Sequence, residues 1–103
     1  MGNFFDLHRH DEHSLFDGFG KPSELARIAV EKGYKALGIS NHGTISGLVQ
    51  HYNACKGVGI KPVMGCEVYF QPKYNKEVPQ RKTYHLNLFV KNLQGYKNLC
   101  HIM

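Results

Sequence analysis

Apolar positions along this chain switch between two periods, one suited to strands and one to helices. Phe4, Phe5 and Leu7 lead into His8 as a short extended segment, and the stretch from Arg9 to Lys21 is a polar loop containing Gly18 and Gly20. Behind Pro22, whose missing N–H suits a first helical turn, Leu25, Ile28, Ala29 and Lys32 recur at helical spacing, and Gly33 supplies a left-handed stop. Lys35 to Ser40 (KALGIS) reads as a compact apolar strand. Leu48, Tyr52 and Cys55 fall at i, i+4 and i+7, which predicts a second helix ending near Gly57 and Gly59. Ile60 to Phe70 reads as a third strand, with Pro62 near its start, where a lost donor matters least. Gln71 to Lys82 is a polar connection. Tyr84 to Val90 (YHLNLFV) alternates cleanly as a fourth strand, and a third helix begins at Asn92.

This order of strands and helices is a βαβ series. Parallel strands need helical crossovers, so the expected fold is α/β with a parallel sheet of four strands. Either a small open sheet or the opening portion of a (β/α) barrel fits the series. No internal repeat, low-complexity tract or linker interrupts it.

Composition narrows the class. The 103 residues are 42% hydrophobic and 20% charged, enough for one modest core. No apolar run approaches the ~18–20 residues of a membrane span, and Asp6 arrives before any signal-like hydrophobic stretch forms. A soluble cytoplasmic protein that engages no membrane is expected. Thirteen Lys and Arg against eight Asp and Glu give a formal charge of +5, which favours a polyanionic partner such as nucleic acid. Cys55, Cys66 and Cys100 are odd in number and form no Cys-x-x-Cys pair, so they read as reduced thiols.

The seven histidines change the picture most. His8 and His10 sit at i and i+2 of an extended segment, so both imidazoles can face one ion; two surface histidines are the alternative. Asp17 lies in Ser14-Leu15-Phe16-Asp17-Gly18, either a loop that folds inward or a plain Asp-Gly turn. His42 follows the second strand, at the strand end where α/β proteins collect ligands, or in an ordinary turn. Glu67 stands in an apolar strand, where a carboxylate is costly unless it is paired, metal-bound or at a wet edge. His85 repeats that situation in the fourth strand. Each predicted strand thus brings an imidazole or carboxylate to what can be one end of the sheet. That donor set suits Zn²⁺, Mn²⁺ or Fe, and clustered ions suit phosphate ester hydrolysis.

His8-x-His10 with Ser14 to Gly18, then Ala36-Leu37-Gly38-Ile39-Ser40-Asn41-His42-Gly43, then Gly59 to Tyr69, resemble the PHP (polymerase and histidinol phosphatase) domain. Tyr84-His85-Leu86-Asn87-Leu88 followed by Lys91 to Leu99 is similar to the branch of that family which opens bacterial DNA polymerase III α subunits. The resemblance runs from about Phe5 to the last residue. It implies a TIM-like (β/α) barrel with up to three divalent ions at its strand ends, of which residues 1–103 form the N-terminal portion. It also implies the metal ligands His8, His10, Asp17, His42, Glu67 (bridging) and His85, with Glu67, His10 and Asp17 carrying catalysis. In active polymerase-type members such a centre removes nucleotides from a DNA 3′ end; in others it is structural. DNA and other replisome subunits are the implied partners. A free-standing phosphatase of the histidinol-phosphatase type and an inactive structural segment are the alternative functions.

Several positions depart from the family pattern. Asp11 stands where Thr or Ser is expected, and His13 where an aromatic residue is usual. Asn41 replaces an Asp before His42, which would orient that imidazole less firmly. The family's remaining ligands, another His and a late Asp-x-His, are not among these residues, so the chain reads as a fragment ending inside a helix. His13 is a candidate ligand or a solvated loop residue. Cys66 beside Glu67 is a candidate ligand or a small core residue, and Cys100-His101 lacks partner spacing. Arg9, Lys73, Lys76, Arg81 and Lys82 could contact DNA phosphates, and Tyr74 could stack a base, if that basic loop is more than solvated.

Overall fold

The computed structural model describes residues 4–72 and 83–103. Pro22 opens α1 (Pro22–Glu31), and Lys21 before it is extended. The helix closes as its sequence requires. Gly33 adopts φ +78, its N–H donates to the Val30 carbonyl at 2.9 Å, and Tyr34 N–H reaches back to Ala29 at 2.9 Å. Only a residue without Cβ takes that left-handed turn cheaply. After β1 (Ala36–His42) come α2 (Leu48–Gly57), β2 (Lys61–Phe70), β3 (Tyr84–Phe89) and α3 (Leu93–Ile102). Asn92 caps α3, its side chain accepting the Gly95 N–H at 2.9 Å.

Among the described residues the sheet has three strands in the order β1-β2-β3. β1 and β2 run parallel across the α2 crossover, with Ile39 opposite Met64 and His42 opposite Glu67. β2 and β3 run antiparallel, with Glu67 opposite Asn87 and Tyr69 opposite His85. This corrects the all-parallel expectation. A parallel return needs a crossover, usually helical, whereas the polar sequence between β2 and β3 shows no helical pattern and suits an antiparallel return. Residues 73–82 lie outside the described residues, and with them Lys73, Tyr74, Lys76, Arg81 and Lys82.

The expected first strand is also corrected. The segment through Asp6 and Arg9 runs beside β1 but forms no regular ladder. Gly38 N–H donates to the Asp6 carbonyl at 2.8 Å and Ser40 N–H to the Arg9 carbonyl at 2.9 Å. Two steps along β1 therefore meet three along the segment, and that extra residue breaks the pairing register. Gly38 permits the close approach: a Cβ there would lie 2.6 Å from Leu7 Cα.

Alternation sorts the sheet into two faces. Leu37, Ile39, Met64 and Cys66 share the face covered by the helices. There Ala26 and Ala29 of α1 pack with Leu37, Cys55 and Ile60, while Leu48 of α2 and Leu99 of α3 pack with Ile39 and Cys66. Each large apolar side chain buried this way contributes about 1.5–3 kcal/mol. The opposite face carries His42, Glu67, Tyr69, His85 and Asn87, and no helix among the described residues covers it. Among those residues no helix is long and apolar enough to cross a membrane.

Candidate metal centre

Glu67 is the hub of that open face. It is 6% exposed, and a carboxylate so buried must be paired. Its Oε2 lies 2.9 Å from His8 Nε2 and 2.7 Å from His10 Nε2, and its Oε1 lies 3.2 Å from His85 Nδ1. The two histidines of the first segment point the same way because they are two residues apart on extended chain. His85 arrives from the start of β3, since the antiparallel return places that end of β3 against the C-terminal end of β2. The expectation that every ligand comes from the end of a parallel strand thus holds for His42 and fails for His85.

Asp17 closes the other side. Its Oδ2 lies 3.0 Å from His42 Nδ1 and 3.3 Å from His10 Nδ1. Ser14 hydroxyl donates to Asp17 Oδ1 and accepts the His42 N–H at 3.1 Å, fastening the loop to the end of β1. His42 Nε2 meets His85 Nε2 at 3.1 Å. The structure therefore brings His8, His10, Asp17, His42, Glu67 and His85 into one contiguous cluster. Within it, His8, His10 and Glu67 form one group whose ligand atoms lie within 4.8 Å of one another, and His42, Glu67 and His85 form a second.

The electrostatics follow from these contacts. Burial pushes the Glu67 carboxyl up, but hydrogen bonds from His8 and His10 outweigh it and hold the group below the usual carboxylate range. Hydrogen bonds from Ser14 and then His42 likewise hold Asp17 low. Among the described residues, neither carboxylate pairs with a lysine or arginine. Asn87, across the register from Glu67, keeps a buried Oδ1 without a hydrogen-bond partner among them. Two ionised carboxylates, four imidazoles and an orphaned amide oxygen form a donor set that fits divalent cations. Glu67 belongs to both three-residue groups.

The remaining candidates lie elsewhere. Cys66 is fully buried on the helix-covered face, where burial pushes its thiol up, so it is a core residue. Cys100 is exposed on α3, far along the chain from any grouped ligand. Arg9 is half-buried; burial lowers its guanidinium pKa, and the carboxylates of Asp6 and Asp11 oppose that. His13 belongs to neither ligand group, and it is not a solvated loop residue. Its backbone N–H and its Nδ1 both meet Asp11 Oδ1, at 2.9 and 3.1 Å. Sequence reasoning missed Asp11 as the anchor of this loop. The signal was an Asx turn, an aspartate whose side chain can take the N–H two residues ahead.

The PHP domain family model matches residues 6–103. The DNA polymerase III subunit alpha of Helicobacter pylori is 42% identical over 99 residues, covering 93% of this chain and 8% of that protein. Those of Aquifex aeolicus and Campylobacter jejuni are 40% and 36% identical, covering 94% and 99% of this chain and 9% of each relative. The chain thus spans less than a tenth of the length of these relatives. With a match across nearly all of its residues, the chain belongs to the PHP domain family.

Proposed function

We propose that this chain is the PHP portion of a replicative DNA polymerase III α subunit, and that its cluster is a phosphoesterase centre removing nucleotides from a DNA 3′ end. The observation that carries the reading is Glu67, buried and shared between two groups of imidazoles. Divalent ions held by His8, His10, Asp17, His42, Glu67 and His85, with Zn²⁺, Mn²⁺ or Fe as the chemically suited choices, would lower the pKa of water toward neutrality and offset phosphoryl charge.

The chain's own residues do the remaining work. Glu67 gathers His8, His10 and His85 around one carboxylate, and Asp17 gathers His10 and His42, so the side chains that would hold the ions are already close together. The relatives are named as DNA polymerase subunits, which favours a DNA strand over a small phosphomonoester as the substrate and other replisome subunits as partners. DNA synthesis itself would belong to other parts of such a polymerase.

The test is a 3′-labelled primer incubated with the whole protein that carries these residues, loaded with Mn²⁺ or Zn²⁺. Glu67→Ala should lower cleavage at least about 100-fold, with the melting temperature recorded to show that the variant is folded. Full metal-dependent cleavage by a folded Glu67→Ala variant contradicts the reading. Turnover of small phosphate esters without DNA cleavage would assign the centre to a phosphatase instead.

A further inference from the structure

The three positions where residue identity departs from the family pattern, Asp11, His13 and Asn41, form one hydrogen-bonded unit. Asp11 is fully buried. Its backbone N–H donates to Asn41 Oδ1 at 2.8 Å, and Asn41 Nδ2 returns a bond to Asp11 Oδ1 at 2.7 Å. An aspartate at position 41 would set two carboxylates against each other here, so the amide is the complement of the buried acid. The same Oδ1 takes His13 Nδ1 at 3.1 Å. A carboxylate only accepts, so His13 Nδ1 is the donor in this contact, and in the neutral form of the ring Nε2 is the acceptor. His13 packs against the entry of α2, where a Cβ on Gly47 would lie 2.6 Å from His13 Nδ1.

The imidazole so held lines a recess of about 580 Å³ that it shares with His42, Thr44, Ser46 and Tyr69. His42 belongs to the metal-ligand cluster, so a phosphate bound to that cluster would lie at one side of the recess and the sugar and base attached to it would extend inward. In that form of the ring the Nε2 lone pair repels a phosphate oxygen and accepts from a hydroxyl. We propose that His13, oriented by Asp11, is a further substrate-contacting residue, and that its Nε2 accepts a hydrogen bond from the free 3′-hydroxyl of the terminal nucleotide. This contact would restrict the centre to strand ends, because internal nucleotides have no 3′-hydroxyl. It rests on the reading that the cluster acts on a DNA 3′ end.

The experiment compares primers ending in a 3′-hydroxyl and in a 3′-deoxy sugar, using the whole protein that carries this chain. Binding is measured by fluorescence anisotropy after treatment with chelator, and cleavage after loading with Mn²⁺. The wild type should bind the hydroxyl-terminated primer roughly three- to tenfold more tightly and show the same ratio in KM with kcat little changed. His13→Phe, which places an aromatic residue of similar shape in the pocket, should abolish the preference in both assays. Equal affinity of the wild type for the two primers, or an undiminished preference in His13→Phe, overturns the proposal. Glu67→Ala separates the two ideas: if it cleaves normally the phosphoesterase reading falls, whereas the anisotropy preference still decides on His13.

Discussion

His51 lies beneath β1, almost fully buried, with its Nε2–H donated to the Leu37 carbonyl at 3.0 Å. Burial pushes its pKa below the usual histidine value, and the bond to Leu37 opposes that only in part. An unfolded histidine takes its proton near pH 6.5, while the folded one does so only at lower pH, so acidification favours unfolding between those two values. The melting temperature of the whole protein that carries this chain should therefore fall as the pH drops from 7 toward 5. His51→Gln, neutral and able to donate to the same carbonyl, should flatten that fall; an unchanged pH slope would refute the assignment. Asp17 and Glu67, held low, lose their contribution at more acid pH, through the carboxylate range. Phe16 is a different case, a fully exposed side chain at φ +69 on the loop that carries Asp17. Left-handed backbone costs an L residue about 1–2 kcal/mol, and glycine's extra chain entropy returns about 0.5–1 kcal/mol of that. In the whole protein that carries this chain, Phe16→Gly should leave the melting temperature unchanged or slightly raised. At this scale the residue types of the cluster were legible, because imidazoles and carboxylates in apolar strands call for partners. The role of Asp11 was not, because nothing local says that a loop aspartate will be buried against Asn41.

Among the elements, the helices were read closely. Pro22 and Gly33 mark α1 by fixing backbone angles locally, and Asn92 does the same for the start of α3. The positions of the strands were legible from alternation, but two of their relations were not. The segment bearing His8 and His10 is held to β1 by two backbone bonds out of register rather than by a regular ladder. Its seat depends on Gly38, since a Cβ there would meet backbone atoms of Asp6 and Leu7 within 3 Å. Gly38→Ala should push that segment away, cost about 1–3 kcal/mol, and weaken metal binding by at least roughly tenfold. A competitive chelator titration measures this, and an unchanged affinity would show that the segment is seated some other way.

At the scale of the whole molecule, the described residues finish the sheet on one face only. Among them helices cover Leu37, Ile39 and Cys66, while Tyr69, His85 and Phe89 on the other face stay open and β3 is an edge strand. A barrel covers such a face by closing the sheet around it, and an open edge invites association. The 103-residue chain by itself should accordingly bind a hydrophobic dye, melt without a sharp transition and hold fewer than three ions. A cooperative melt with three ions bound would contradict this.

The sequence by itself determined the helices, the strand positions and the chemical kind of the site, since turn residues, hydrophobic period and ligand type all act locally. Only the tertiary structure decided that β3 runs antiparallel, and hence that His85 reaches Glu67 from the beginning of its strand rather than the end. It also decided that Asp11, His13 and Asn41 meet. Strand direction and the meeting of residues thirty positions apart depend on how separate elements pack, and no short window of sequence carries that information.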